Sequence, residues 1–267
     1  MTSLAGLFEP RRDIPALPRI LAGSFTFAFL LVLWSAASYG GYIGPLFLPS
    51  PSAVVYAIWG LLRSYELFTH VGISCYRITF GFAIAATLAV PLGVLMGSFA
   101  VVRATIEPMN DFIRYMPVAA FIPLTILWAD VGDLEKIAII FIGTFFQLVL
   151  LVADNAKVVP TEYLEVAYTL GGSKSASVRK VLLPAALPGI LDSLRIAIGW
   201  AWSYLIVAEI VAANRGLGFL IIQSQRFLHT AQIVAGIIVI GLIGLGTDYL
   251  FRLLSRRLFP WRDESRR

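Results

Sequence analysis

Six stretches of this chain are membrane-length and predominantly apolar, at about 20–42, 70–97, 106–128, 134–153, 188–213 and 232–254. About twenty such residues in a helix cross the hydrocarbon core of a bilayer. A helix also satisfies each backbone N–H and C=O within itself, which lipid demands. Composition agrees: 58% of residues are apolar and 14% charged, against about 45–50% and about 25% in soluble proteins. The mean hydropathy is +0.82. The sequence therefore predicts an all-α polytopic membrane protein of six transmembrane helices. The six spans and their loops use up the 267 residues, so a tail (1–19) precedes a single transmembrane domain (20–267) with no separate soluble domain.

The first run follows Arg11, Arg12 and Arg19, as a signal peptide would, but it exceeds the roughly 7–15 residues of a signal core and is read as a retained helix. Between the first two spans, Pro49-Ser50-Pro51-Ser52 starts a shorter segment, Ala53 to Leu62, suited to a helix lying at the interface. The third span contains Pro108, Pro117 and Pro123. Each proline removes a backbone donor and crowds the preceding turn, so this span is expected to be bent or broken.

Arg11, Arg12, Arg19, Arg103, Lys157, Lys174, Arg179, Lys180, Arg252, Arg256, Arg257, Arg262, Arg266 and Arg267 fall on one side of the predicted spans, and Arg63, Lys136, Arg215 and Arg226 on the other. The positive-inside rule makes the first side cytoplasmic, with both termini. The net charge of +5 is then a topology signal and an attraction to anionic lipid, and no nucleic-acid partner is implied. One cysteine, Cys75, excludes an intrachain disulfide, and His70 and His229 have no ligand-spaced neighbours, so no metal site is expected. The histidines read as residues near the headgroup region and Cys75 as a small packed side chain. Lys174-Ser175 lacks the glycine and the strand of a phosphate-binding loop.

One polar interruption stands out, Thr161 to Pro184, TEYLEVAYTLGGSKSASVRKVLLP. Tyr163, Leu164, Val166, Ala167 and Leu170 share one face of a short helix, with Thr161 after Pro160 as its cap. Gly171-Gly172 permits a sharp turn, and Ser173 can cap a second helix that Pro184 stops. By periodicity alone, a knob for a partner protein and an amphipathic helix resting on the membrane are equal readings.

The spacing Glu165-x-Ala167-x-x-x-Gly171, nine residues, then Val181-x-Leu183-Pro184, resembles the EAA loop of ABC importer permeases. Val166 and Val181 depart from the usual alanine and isoleucine of that motif. PLFLPSPSAV (45–54), MPVAAFIPLTILW (116–128) and IGWAWSYLIVAEIVAANRGLGFLI (198–221) are similar to permeases of nitrate, sulfonate, taurine and bicarbonate uptake. The resemblance implies a type I importer permease with its core fold over about 66–257 and a coupling loop over 161–184. Glu165, Val166, Ala167, Leu170, Gly171, Gly172, Ser173 and Pro184 would meet the ATPase. It further implies a bacterial inner-membrane location, a second permease copy, two cytoplasmic ATPase subunits and an extracytoplasmic solute-binding protein. The chain itself would need no cofactor and would not be an enzyme, ATP and Mg being bound by the partner ATPase. The implied solute is a small oxyanion, or alternatively a pyrimidine- or flavin-type vitamin precursor. A secondary transporter or channel is disfavoured, since no evident internal repeat, charged ring or filter is present.

Inside the spans, Met116 and Pro117 at the proline break, with Arg77 and Glu209, are candidates for the solute path or the subunit seam. Glu209 is costly in lipid and should face protein or water, more readily as one half of a structural pair. Arg77 has two readings, snorkelling outward or meeting a substrate anion. Asp192 with Arg195, and Asp248 with Arg252, have same-face helical spacing. Gly40/Gly44 and Gly93/Gly97 suit close helix contacts. Trp200, Trp202 and Tyr204 point to different faces and read as packing residues.

Overall fold

The computed structural model describes residues 15–260; the expected tail, except residues 15–19, and the arginines at 262, 266 and 267 lie outside the described residues. Eleven α-helices make up these residues, with no strand among them. Helix α1 (Ala16–Tyr39) is followed by α2 (Pro51–Arg63), whose N-cap Ser50 accepts from Ala53 N with Pro51 in the first turn. Next come α3 (Glu66–Ser98), α4 (Ala100–Arg114), α5 (Ile122–Ala129) and α6 (Asp133–Lys157). Short helices α7 (Thr161–Thr169) and α8 (Lys174–Ser177) form a hairpin, and α9 (Leu183–Ala212), α10 (Leu217–Arg226) and α11 (Thr230–Leu258) complete the chain.

The core is built from α3, α6 and α9, whose inward residues include Ala89, Leu148, Val152, Ala197, Ala201 and Leu205. Helices α3 and α6 run parallel. Arg77 meets Asp133 at one end, a Cβ on Gly81 would abut Ile140, one on Gly93 would abut Val152, and one on Gly97 would abut Ala156 at the other. Gly93 and Gly97 therefore bring two backbones together, as their spacing predicts. Gly40 and Gly44 do not, lying instead at the end of α1 and in the turn after it, beside Tyr42 and Phe47. Helix α9 is antiparallel to both, with Glu209 beside Arg77 and Gly189 against Asn155.

The parallel pair fixes the course of the third span. Ser98 ends α3 beside the hairpin end of α6, and Asp133 starts α6 at the opposite end. The chain between them must climb about 30 Å, the rise of the twenty residues from Arg77 to Gly97. It does so as two helices, 100–114 and 118–129, bent by 86°. The break predicted in this span falls at Pro117, while Pro108 sits inside α4 and Pro123 at the start of α5. A proline near a helix N-terminus forfeits no intrahelical bond.

Other expectations are corrected. The fifth span does not begin at Pro188, nor does Pro184 stop the second hairpin helix. Helical structure runs unbroken over Lys174–Ala212 because Val178–Leu182 widens into a π turn, Leu183 N bonding Val178 O. That turn re-registers the backbone where Pro184 offers no donor. Thr161 is the first residue of α7, not its cap, which is Pro160. Lys136 is not a loop charge: it is buried in α6. Helix α1 buries none of its apolar window against the rest of the chain. It is tied on through Trp34 Nε1 to Pro49 O, 2.9 Å, and Tyr39 Oη to Ser52 Oγ, 2.8 Å.

Candidate functional site: the helical hairpin and the buried charge cluster

The hairpin is held by its turn. Gly171 adopts φ +82, its N–H reaches Tyr168 O at 2.9 Å, and Gly172 N–H reaches Ala167 O at 2.8 Å. This pair of bonds is a Schellman closure, which places a left-handed residue just past the helix end. A Cβ on Gly172 would sit 2.6 Å from Ala167 O. Both glycines are thus required, one for its dihedral and the other for space. Ser173 then caps α8, accepting from Ala176 N at 3.3 Å. Leu164 and Val178 turn inward onto the core, so the hairpin is a braced unit.

Its outer surface is apolar. Tyr163, Val166, Ala167, Leu170, Ala176 and Val181, with Gly172, Ser177 and Lys180, line a groove of about 450 Å³. Leu170 is 83% exposed. Glu165 stands exposed on the same helix, and among the described residues its carboxylate makes no hydrogen bond or ion pair within the chain. The loop residues expected to meet a partner are therefore brought together, except Pro184, which lies further along, exposed at the start of α9. An exposed apolar groove suits a protein partner, and Glu165, on another face of α7, offers a carboxylate for a charge-assisted hydrogen bond.

The opposite end holds a buried polar cluster. Glu209, wholly buried, accepts from Ser74 Oγ (2.8 and 3.0 Å), Arg77 Nη1 (2.8 Å) and Gly218 N (2.8 Å). Arg77 also bonds Asp133 Oδ1 at 2.7 Å and Arg215 O at 2.8 Å. Leu217 N donates to Ser74 Oγ, and Gly216 N to His70 Nδ1 at 3.0 Å. His70 Nδ1 thus acts as a buried acceptor. Gly216 has φ +122, and a Cβ there would run into the Glu209 carboxylate. Alongside, Lys136 Nζ binds Glu135 Oε2 and, at 2.6 Å, Ala212 O, the last carbonyl of α9. A cation there complements the helix dipole.

Glu209 is therefore half of a structural pair, and Arg77 neither snorkels outward nor points into open space. The cluster ties α3, α6 and α9 to the 213–216 turn and α10. The sequence singled out Glu209 and Arg77 separately; Ser74, Asp133, Gly216 and Gly218 carried no signal, and neither did α10. Arg195 reaches across to Asp248 on α11 at 3.0 Å, and Asp248 also holds Arg252 at 2.7 Å. Trp202 is buried, and Tyr204 Oη accepts from Gln147 Nε2 at 3.0 Å. At the proline break, Pro117 lines a cavity of about 280 Å³ with Val118, Ala119, Ile139, Ser203, Tyr204 and Val207; Met116 precedes it, its N–H bonded to Ile113 O. Among the described residues no group of three or more His, Cys, Asp or Glu could hold a metal ion.

The family model described as "Binding-protein-dependent transport system inner membrane component" matches residues 89–260. The taurine transport system permease protein TauC of Escherichia coli is 34% identical over 90% of this chain and 89% of its own length. The nitrate import permease protein NrtB of Synechocystis is 28% identical over 97% and 98%. A candidate aliphatic sulfonates transport permease, SsuC of Bacillus subtilis, is 34% identical over 88% and 86%. Among solved structures, the inward-facing MetNI methionine ABC transporter aligns with TM-score 0.56 at 24% identity, covering 73% of this chain and 96% of that one. An amino acid ABC transporter aligns with TM-score 0.58 at 17% identity, covering 74% and 96%; both likenesses bear on the fold. A bundle of this topology, sharing a third of its residues with such relatives along most of its length, belongs to the binding-protein-dependent inner-membrane components and is an ABC importer permease.

Proposed function

We propose that this chain is the path-forming subunit of an ATP-driven importer for a small oxyanion such as a sulfonate, taurine, nitrate or bicarbonate. Two copies enclose the path, and two ATPase subunits, binding ATP and Mg, dock on the α7–α8 hairpins. A solute-binding protein delivers from the outer face. The chain sits in the bacterial inner membrane with both termini and the hairpin in the cytoplasm, in keeping with Arg103, Lys157, Lys174, Arg179 and Lys180 at the hairpin end. The observation that carries the reading is the exposed apolar groove on a braced hairpin, with Glu165 uncommitted on another face of the same helix. A rigid hairpin passes a push from a closing ATPase pair into α9, because helix is continuous from Lys174 to Ala212. The relatives named for taurine and nitrate support the solute class.

The test is co-purification of the detergent-solubilised chain with candidate ATPase subunits, comparing Glu165→Ala and Gly171→Asp. Loss of a charge-assisted hydrogen bond at Glu165 should weaken capture by about 10-fold or more. A folded, monodisperse chain that captures no ATPase would overturn the reading.

A further inference from the structure

The break between α4 and α5 carries an ion pair at membrane depth. Arg114 Nε bonds Asp111 Oδ1 at 2.8 Å, Nη2 donates to Tyr115 Oη at 3.0 Å, and the guanidinium lies 4.4 Å from the Tyr115 ring centre. Asn110 sets the depth, because its Nδ2 donates to Phe146 O at 3.0 Å. Phe146 lies thirteen residues from Asp133 and eleven from Lys157, so it is about 20 Å and about 17 Å from the two ends of α6. Asp111 and Arg114 therefore sit within about one helical turn of the middle of α6, a helix long and apolar enough to cross the membrane. Their side chains are 40% and 27% exposed. Charges at that depth are costly against lipid and face protein or water. Among the described residues Arg114 Nη1 makes no hydrogen bond.

We infer that Asp111, Arg114 and Tyr115 line the solute path at the α4–α5 break, with Arg114 as the contact for a passing oxyanion. The inference rests on the importer reading for the identity of the solute, and on burial and depth alone for access to water. Asp111 keeps the guanidinium neutralised while no solute is present, and Nη1 is left for a sulfonate, nitrate or bicarbonate oxygen. A paired cation holds an anion weakly, as a path must if the solute is to leave. The broken helix beside Pro117 gives the polar face a place to open, since irregular backbone at this depth survives only against protein or a water-filled cavity.

The test uses the full-length chain in proteoliposomes with its ATPase and binding-protein partners, in a Cys75→Ser background. Arg114→Cys and Tyr115→Cys should react with membrane-impermeant thiol reagents, and Asn110→Cys, buried on α4 against Phe146 of α6, should not. At Tyr115→Cys, the preference for an anionic over a cationic reagent should drop about 10-fold when Arg114→Gln is added. Uptake of radiolabelled taurine, with the cognate binding protein, should fall about 10-fold in Arg114→Gln and recover in part in Arg114→Lys. Reaction with lipid-soluble reagents only, cross-linking between copies without aqueous reaction, or unchanged uptake in Arg114→Gln would overturn the inference. Failure of the native chain to capture an ATPase would overturn the importer reading instead, and thiol reactivity, measurable on the chain alone, would still decide whether the pair meets water.

Discussion

Glu209 has its donors supplied by two separate parts of the chain, Ser74 and Arg77 on α3 and Gly218 N in the first turn of α10. Removing one member of a buried ion pair strands the other, at a cost of about 3–5 kcal/mol. Glu209→Ala should therefore sharply lower the temperature at which detergent-purified protein loses monodispersity. Glu209→Gln, which can still accept from Ser74 and Gly218 N, should do so less. Asp133→Asn should cost little, about 1 kcal/mol or less, because that side chain is 53% exposed. Equal losses for Asp133→Asn and Glu209→Ala would mean that the outer carboxylate carries the cluster. The sequence made Glu209 legible, since a carboxylate inside an apolar span needs a partner. Its partners were not, because Ser74 and Arg77 lie more than 130 residues away along the chain and only packing of α3 on α9 joins them.

The hairpin is the element where local sequence and structure agree best, because its signals are short-range: Gly171-Gly172 for the turn and Ser173 for the cap. Gly171→Val should cost about 1–2 kcal/mol of hairpin stability, and Gly171→Asn less, since asparagine tolerates the left-handed region. Gly172→Ala should harm the hairpin as well, though its dihedral is ordinary, because the added methyl meets Ala167 O. Capture of an ATPase subunit, measured with limited proteolysis of the hairpin, checks the series. If Val, Asn and Ala all behave alike, the turn is not what braces the surface. The continuation was not legible. Pro184 reads as a stop, and only the π turn, a choice of the backbone rather than of any residue type, lets the helix pass it and link the hairpin to α9.

At the scale of the molecule the number of crossings follows from direction rather than hydropathy. Five helices are long and apolar enough to cross alone. The sixth crossing is divided between α4 and α5, and its limits, like those of the fifth span, differ from the ones the sequence predicts. A re-entrant loop and a bent crossing have the same composition but opposite consequences: a re-entrant loop would return the chain to the hairpin side, making α3 and α6 antiparallel. The observed contacts run in step, from Arg77 with Asp133 to Gly97 beside Ala156, so the bent pair crosses. In a Cys75→Ser background, Val131→Cys, exposed in the turn between α5 and α6, should react with an impermeant reagent added outside intact cells, as should Arg63→Cys. Arg103→Cys and Lys174→Cys should react only after permeabilisation. Labelling of Val131→Cys with the second group would make the α4–α5 pair re-entrant and leave five crossings, putting α6 in the membrane the other way up and separating Asp133 from Arg77. That arrangement would break the buried cluster around Glu209, so the same variant tests both the course of the chain and the contact that pins it.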